Sequence, residues 1–284
     1  MKYSYYPGCT LHSTAIEYGW STEAVCEALG IELVEIEDWN CCGASSAHSL
    51  DPRLALTLPT RDLMHAQVLQ ADIVMPCAAC YGRIAAADHK MRTDPAWRKE
   101  MEAEFQTEYR GAARPRTLVD VLGNDLAPEA LAAKVKRPLT GLRTVSYYGC
   151  LLIRPPDLTN RWDDPEHPVV MDRIMRALGA EPVPWAHTVE CCGASLALDR
   201  ADVVAVLSGR IVQGANDADA DCIVCACPLC QANLDSRQKG ISPKVPVLYL
   251  TELIGVALDL PGRNKWFAKH LVDPRPLLKA KGLE

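Results

Sequence analysis

The sequence lacks the features that would place this chain in a membrane, on nucleic acid or outside the cell. No apolar run approaches the roughly 20 residues that a bilayer-spanning helix needs, and the N-terminus, MKYSYYPGCTLHS, has no apolar signal core. No block of Lys and Arg is present, and the formal net charge is −6, so nucleic-acid binding is not indicated. We therefore expect a cytoplasmic protein with no membrane span.

The sequence also lacks two common motifs of electron-transfer cofactor binding. There is no G-x-G-x-x-G after a predicted strand, so no dinucleotide-binding fold is indicated. There is no C-x-x-C-x-x-C-x-x-x-C-P run of the ferredoxin type either. Any electrons that this chain uses are therefore expected to come from another protein.

What the sequence does contain is cysteine: thirteen in 284 residues. In a reducing compartment, clustered cysteines bind metals or do redox chemistry more often than they form structural disulfides. An odd number also argues against complete internal pairing. The length is sufficient for two domains, each with its own apolar core.

The cysteine pattern is an internal repeat. The word CCGAS occurs at 41–45 and 191–195, and ALG precedes it at 28–30 and 177–179. YYPGC (5–9) matches YYGC (147–150), and ADIVMPCAAC (71–80) matches DCIVCACPLC (221–230). From the CC pair to the final C-x-x-C, the copies are offset by 150 residues. Two copies are too few for a solenoid, so we expect two similar lobes related by a pseudo-twofold axis.

Strands alternate with helices in both copies, which predicts an α/β fold in which each lobe has a small parallel-rich sheet with flanking helices and cysteine-bearing loops. We place the lobes at residues 1–140 and 141–284. Predicted strands are 2–6, 32–36 and 72–75 in the first lobe and 143–148, a proline-broken run at 181–189, and 221–224 in the second. Predicted helices are 14–29, 54–69, 169–178 and 201–216, and the charged segment 88–115 is expected to be a surface helix.

Each lobe carries five matched cysteines, spaced C-x31-CC-x34-CxxC and C-x40-CC-x34-CxxC. Thiolate is a soft ligand that suits iron–sulfur clusters and zinc. A tetrahedral zinc or a cubane 4Fe–4S cluster takes four protein ligands, so five is one too many for either. Gly43 and Gly193, directly after each CC pair, are expected to let the backbone bend around a bulky cluster.

These motifs, over nearly the whole chain, resemble those of the CCG-domain family, and closely those of heterodisulfide reductase B subunits. The resemblance implies two noncubane 4Fe–4S clusters, each held by five cysteines, and a disulfide cleaved between them. The implied ligands are Cys9, Cys41, Cys42, Cys77 and Cys80 for the first cluster and Cys150, Cys191, Cys192, Cys227 and Cys230 for the second.

The resemblance also implies partners: a ferredoxin-like iron–sulfur protein similar to the heterodisulfide reductase C subunits, and a flavin-containing subunit. Reduction of a disulfide takes two electrons and two protons, whereas an iron–sulfur cluster transfers electrons singly. Two clusters facing one disulfide or thiol substrate would explain the duplication. The sequence does not fix the direction of the reaction or the identity of the substrate.

Three other interpretations are weaker. A structural zinc fits adjacent cysteines poorly, and a thioredoxin-type CxxC leaves the other cysteines unexplained. An electron-relay iron–sulfur subunit without its own substrate, serving a hydroxyacid or succinate oxidoreductase, is the main alternative. A heterodisulfide reductase-like complex of sulfur oxidation is another setting for the same subunit.

Several further residues lie outside the repeated pattern or beside it. Cys26, Cys222 and Cys225 have no matching cysteine in the other copy, and we predict that they are not ligands. A surface or packing role is the simpler interpretation for the remaining candidates. These are His12 and His48 as proton donors, Arg83 and Arg154 as partners of cluster charge or of an acidic substrate, and the segment 154–168 as part of a pocket or subunit interface.

Overall fold

The structure is a computed structural model that describes residues 1–44 and 47–284, without the side chain of His48. Within these ranges the strands form two sheets of four parallel strands each, in the orders β2-β1-β3-β4 and β6-β5-β7-β8. The strands of the first sheet are β1 Lys2–Tyr5, β2 Glu32–Glu35, β3 Ile73–Met75 and β4 Pro115–Thr117. Those of the second are β5 Arg143–Tyr147, β6 Glu181–Pro182, β7 Cys222–Cys225 and β8 Val247–Tyr249.

Helices connect and flank the strands. They are α1 Ile16–Leu29, α2 Ala47–Leu50, α3 Leu54–Ala66, α4 Ala78–Thr93, α5 Pro95–Phe105, α6 Leu118–Asp120, α7 Pro128–Ala132, α8 Val170–Ala177, α9 Ala201–Asp217, α10 Pro228–Ser236, α11 Leu250–Ala257, α12 Arg263–Phe267 and α13 Arg275–Ala280. Short 3-10 turns lie at Gln67–Leu69 and Ala194–Leu196, and a π-helix lies at Val121–Asp125. The identical strand order of the two sheets confirms the predicted α/β fold with two similar lobes.

The central strands are the most buried part of each lobe. Every residue of β3 and β7 is buried, and both read as continuous apolar runs, IVM and CIVC. A parallel strand covered by helices on both faces needs such a run because neither of its faces meets water. The core therefore lies beside β3 and β7, directly under the loops that follow them.

Two sequence predictions are wrong in detail, and proline explains both. The segment 88–115 is not one helix: α4 ends at Thr93 and α5 starts at Pro95. The Asp94 carboxylate between them accepts hydrogen bonds from the backbone N–H groups of Ala96 and Trp97 at 3.0 Å, which caps α5. The run 181–189 forms only a two-residue strand, because proline has no N–H to extend the ladder.

The lobes pack through their helices. Helix α1 of the first lobe lies against α11 of the second, where the rings of Tyr18 and Tyr249 stack with centroids 4.0 Å apart. The hydroxyls of Ser21 and Thr251 hydrogen-bond at 2.7 Å in the same contact. In the pseudo-symmetric position, α8 packs against α6 and the π-helix. The predicted lobe boundary at 140/141 stays a prediction.

Candidate metal centre

In the first lobe, three segments bring their cysteines together at the carboxyl end of the sheet, the usual ligand-binding edge of a parallel α/β sheet. Cys9 follows β1, and its Sγ lies 3.7 Å from the Sγ of Cys41. The Sγ atoms of Cys42 and Cys80 are 3.4 Å apart. Cys77, the N-cap residue of α4, interacts with Cys80 one turn later. All five predicted ligands of this lobe therefore lie in one contact series.

The second lobe repeats the arrangement. The Sγ atoms of Cys150 and Cys191 are 3.7 Å apart, and those of Cys192 and Cys230 are 3.5 Å apart. Cys227 is the N-cap residue of α10 and interacts with Cys230. The spacing of the five cysteines thus produces nearly the same thiol–thiol distances in both lobes.

The two sets meet. The thiols of Cys77 and Cys227 interact across the lobe boundary. Since each is the N-cap of the helix that carries its CxxC, the pseudo-twofold relation brings these helix starts together. The ten predicted ligands are therefore neighbours in a single two-lobed thiol cluster, and their role as ligands stays a prediction.

Glycines hold the backbone close to the sulfurs. Gly43 and Gly193, where a tight bend of the backbone was expected, have φ of 74° and 80°, in the left-handed region. The sequence did not single out Gly8 and Gly149, which have φ of 73° and 65°. A Cβ at Gly8 would lie 3.0 Å from the Sγ of Cys80, and one at Gly149 would lie 3.3 Å from the Sγ of Cys230. These two close approaches require glycine.

A tyrosine supports the CC loop in each lobe. The hydroxyl of Tyr6 donates to the backbone carbonyl of Asn40, and the hydroxyl of Tyr147 donates to that of Glu190, both at 2.7 Å. Each carbonyl belongs to the residue just before the CC pair. The repeated YY before the first cysteine was visible in the sequence, but its hydrogen-bond partner is 34 or 43 residues away and was not predictable.

The thiols do not titrate alike. Hydrogen bonds from the Cys42 and Cys9 thiols lower the pKa of Cys41 well below its usual range, and the bond with Cys41 raises the pKa of Cys9. The Cys150 thiol lowers the pKa of Cys191 in the same way, to about 6. These thiol contacts favour the thiolate of the first cysteine of each CC pair, which is the form that binds metals.

The remaining three cysteines are buried in a helix and a strand. Cys26 is buried in α1, and burial raises its pKa to about 12. Cys222 and Cys225 are buried in β7, and burial likewise raises the pKa of both thiols. This placement suits core packing, and the assignment of these three as non-ligands stays a prediction.

The candidate histidines and arginines differ in their surroundings. His12 is half exposed, 3.6 Å from the Glu35 carboxylate, while the side chain of His48 lies outside the described residues. Arg154 pairs with Glu166 at 2.7 Å and donates to the carbonyl of Pro165, which folds the segment 154–168 back on itself. Arg83 instead faces a cavity.

That cavity, of about 330 Å³, opens between the lobes. Ala44, Ala78, Ala79 and Arg83 line it from the first lobe. The second lobe contributes Tyr148, Leu151, Ala194, Ser195, Ala197, Leu198, Leu229 and all five of its predicted ligands, Cys150, Cys191, Cys192, Cys227 and Cys230. The lining is mostly apolar with five cysteine side chains on one side, and concave, largely apolar sites of this kind bind small molecules and cofactors.

The described ranges contain neither a site for a single metal ion nor a membrane-spanning helix. No group of three or more His, Cys, Asp or Glu side chains there is placed to hold a single metal ion. In the same ranges, no helix combines the length and the apolar character needed to cross a membrane.

The fold and the thiol cluster define a class of protein. The CCG cysteine-rich domain family matches residues 3–85 and 144–235, which is more than half of the chain and includes both cysteine sets. This chain belongs to that family.

Individual relatives show which proteins of this class the chain is similar to. The chain is 32% identical, over 97% of its length and 99% of the relative, to the 8-methylmenaquinol:fumarate reductase membrane anchor subunit of Wolinella succinogenes. It is 30% identical, over 90% of its length and 89% of the relative, to the B subunit of the ferredoxin/F420H2-dependent CoB-CoM heterodisulfide reductase of Methanosarcina acetivorans. Both relatives are named as subunits of reductases.

A solved structure has the same fold. A hypothetical protein from Helicobacter pylori superposes with a TM-score of 0.73 at 12% identity, covering 95% of this chain. The chain spans about half, 51%, of that protein, and the likeness shows the fold alone.

Proposed function

We propose that this chain is the catalytic iron–sulfur subunit of a heterodisulfide reductase-like complex, which cleaves or forms a disulfide between two noncubane 4Fe–4S clusters. The observation that carries the proposal is the cavity between the lobes, which all five predicted ligands of the second lobe line and to which the first lobe adds Ala78 and Ala79, between Cys77 and Cys80. The relative named as a heterodisulfide reductase B subunit, similar over most of its length, supports it.

The residues fit the proposed clusters. Each lobe brings five soft donors into one contact series, and the glycines beside them leave no side chain between backbone and sulfur. A single zinc per lobe fits less well, because five matched cysteines are one more than a tetrahedral zinc takes. The proposed ligands are Cys9, Cys41, Cys42, Cys77 and Cys80 for one cluster and Cys150, Cys191, Cys192, Cys227 and Cys230 for the other.

The bound clusters would supply single-electron transfer and affinity for sulfur. The balanced reaction is that one disulfide, two electrons and two protons give two thiols. The chain itself provides the place for this reaction. Ala78, Ala79 and Leu229 form the apolar part of the wall that would keep the S–S bond away from bulk water. The electrons would come from a ferredoxin-like subunit, itself reduced by a flavin-containing subunit.

The first experiment is metal analysis with EPR on protein purified without oxygen, followed by reduction of disulfides with a low-potential dye as donor. We expect about eight irons per chain, little zinc, and EPR signals unlike those of a cubane cluster. Disulfide reduction by iron-loaded protein would support the proposed reaction. One or two zincs without iron would contradict it.

A second candidate function rests on the fumarate reductase relative, which is similar over almost the full length of both chains. In this alternative the chain relays electrons within a succinate or hydroxyacid oxidoreductase and has no substrate of its own. Iron-loaded protein that exchanges electrons with a partner but reduces no disulfide would favour this alternative.

A further inference from the structure

We propose that Asp62 and Asn233 make the two five-thiol sites unequal, so that the site of the second lobe accepts an electron before the site of the first lobe. This inference rests on the proposed function for the iron–sulfur clusters, and it adds the order in which they are reduced. The reduction potential of such a cluster depends on nearby charge, on hydrogen bonds to its sulfurs and on exposure to solvent. The lobes differ in the first two of these.

A buried carboxylate supports the CC loop of the first lobe. Asp62, on α3, is fully buried and accepts two hydrogen bonds from Asn40, the residue before Cys41. The backbone N–H of Asn40 donates at 2.8 Å and its side-chain amide at 3.3 Å. In the ranges 1–44 and 47–284 no cation pairs with Asp62, and the neighbouring Arg61 pairs with Asp38 instead. An anion in a low-dielectric interior opposes the arrival of more negative charge nearby.

The second lobe has an apolar residue at the matching position. The 150-residue offset places Val212 opposite Asp62, and Val212 is fully buried. Glu190, which directly precedes the second CC pair, has a side chain that is 40% exposed. Water screens the charge of an exposed carboxylate far better than that of a buried one. The negative charge of Asp62 therefore acts on the first lobe more strongly than that of Glu190 acts on the second.

Hydrogen bonds to sulfur differ in the same direction. In the second lobe, the buried amide of Asn233 donates to the Sγ of Cys192 at 3.5 Å and to its carbonyl at 3.4 Å. Ser208 donates to the same carbonyl at 3.3 Å. The offset places Leu58 and Arg83 at these positions in the first lobe, and neither side chain donates to a described cysteine. A donor beside a ligand sulfur stabilises the charge that reduction adds, which raises the potential.

Arg83 does not reverse this difference. It belongs to α4 of the first lobe, but its side chain lines the cavity together with all five predicted ligands of the second lobe. Its positive charge therefore stabilises an added electron on that side as well. Asp62 disfavours reduction of the first-lobe site, while Asn233 favours reduction of the second-lobe site. The second-lobe site is expected to have the higher reduction potential.

The test is a redox titration of anaerobically purified, iron-loaded protein with dithionite and mediator dyes, followed by EPR without any disulfide. Each step is the gain of one electron by one site. Burial raises the pKa of Asp62 to about 7, so the titration is done at pH 9, where the carboxylate is charged. We expect two separate steps in the wild type.

The variants should move one step each. Asp62→Asn keeps an oxygen that can accept from Asn40 but removes the charge, so the lower potential should rise. Asn233→Leu removes the donor to Cys192, so the higher potential should fall. Each change should be at least roughly tenfold in the equilibrium constant of reduction, which is about 59 mV for one electron. Asp88→Asn, which removes a carboxylate of α4 that pairs with Arg92 at 2.8 Å, is the matched control and should move neither step.

Cys192→Ser and Cys42→Ser assign the steps, because each should leave one site. The site that remains in Cys192→Ser should have the lower potential, and equal or reversed potentials would overturn the inference even if Asp62→Asn or Asn233→Leu lost iron. Unmoved steps in iron-loaded Asp62→Asn and Asn233→Leu would overturn it too, and disulfide turnover would then leave the proposed function standing. The expected shifts without turnover of any disulfide would contradict the proposed reaction and keep this inference. Protein without iron would contradict both.

Discussion

The two lobes are nearly identical at their sulfurs and different around them. The paired Sγ distances are 3.7 and 3.4 Å in the first lobe and 3.7 and 3.5 Å in the second. Around them, the first lobe has the added helix α5, while the second has the segment 154–168 and supplies all the described cysteines of the cavity wall. The shared sulfur geometry is what a five-thiol site requires. Helix α5 and the segment 154–168 are not part of that geometry and can differ between the lobes to contact a substrate or a partner.

The asymmetry extends to the helices that follow the last strand of each sheet. Asp120 in α6 and Glu252 in α11 occupy matching positions in LVDVLG and LTELIG. Asp120 pairs with Arg116 at 2.6 Å, whereas Glu252 pairs with fully buried His270 at 2.9 Å. One lobe therefore neutralises its acid with a permanent cation, and the other does so with a cation that titrates.

The largest expected effect comes from removing one thiol in either lobe. If the sets hold equivalent clusters, Cys42→Ser and Cys192→Ser should each lose about half of the iron, roughly four of eight atoms. Iron analysis and EPR of the two variants measure this directly. Cys26→Ala, which removes a buried thiol outside the cluster, should retain the full iron content.

Unequal losses would show that the lobes are not equivalent in metal binding. Retention of all the iron in both variants would contradict five-cysteine ligation. Loss of iron from Cys26→Ala would show that the assignment of non-ligands is wrong.

Much of this arrangement could be predicted from the sequence because the repeat fixes it locally. Cysteines placed just after short apolar strands had to meet at the carboxyl edge of a parallel sheet, and the 150-residue offset separated Cys222 and Cys225 from the ten. The contact between Cys77 and Cys227 could not be predicted, because it depends on how the lobes pack.

The helix break at Asp94 and the short strand β6 were missed for another reason. Charge and alternation suggested regular elements, while proline in each segment removed a necessary backbone donor. The hydrogen bond from Tyr6 to the carbonyl of Asn40 could not be predicted from the sequence, because it joins parts of the chain that only the folded lobe brings together.

A smaller effect is expected at the glycines that touch sulfur. Gly8→Ala should lower the free energy of unfolding by more than Gly149→Ala, since the added Cβ would lie 3.0 Å from one Sγ and 3.3 Å from the other. Gly141, with φ of 78° and nothing within 4 Å of an added Cβ, is the matched control. Its substitution by alanine should cost only the left-handed backbone penalty of about 1 kcal/mol.

Chemical denaturation of the three glycine variants gives this order, and iron analysis shows whether the first two also loosen the thiol cluster. Equal costs for all three would mean that backbone conformation alone explains these glycines. The close approach to sulfur would then not be what requires glycine at Gly8 and Gly149.

The smallest expected effect is a pH dependence confined to the second lobe. Burial disfavours the charged form of His270, but its ion pair with Glu252 more than offsets this, so the pKa of His270 is raised. Asp235 and Glu17 also face it and act in the same direction. Because the folded state holds the proton more tightly, this stabilisation is full below the unfolded pKa of about 6.5. It is lost as the pH rises through the folded pKa.

Denaturant unfolding of the same protein between pH 6 and 9 should therefore show stability falling as pH rises. The fall should be about 1.4 kcal/mol for each pH unit that separates the unfolded and folded pKa values of His270. His270→Gln should flatten that slope. Arg116→Gln should lower stability by a similar amount at every pH in this range, because a guanidinium does not titrate there. A slope that persists in His270→Gln would assign the pH dependence to other groups, and the two acids would then differ in partner but not in behaviour.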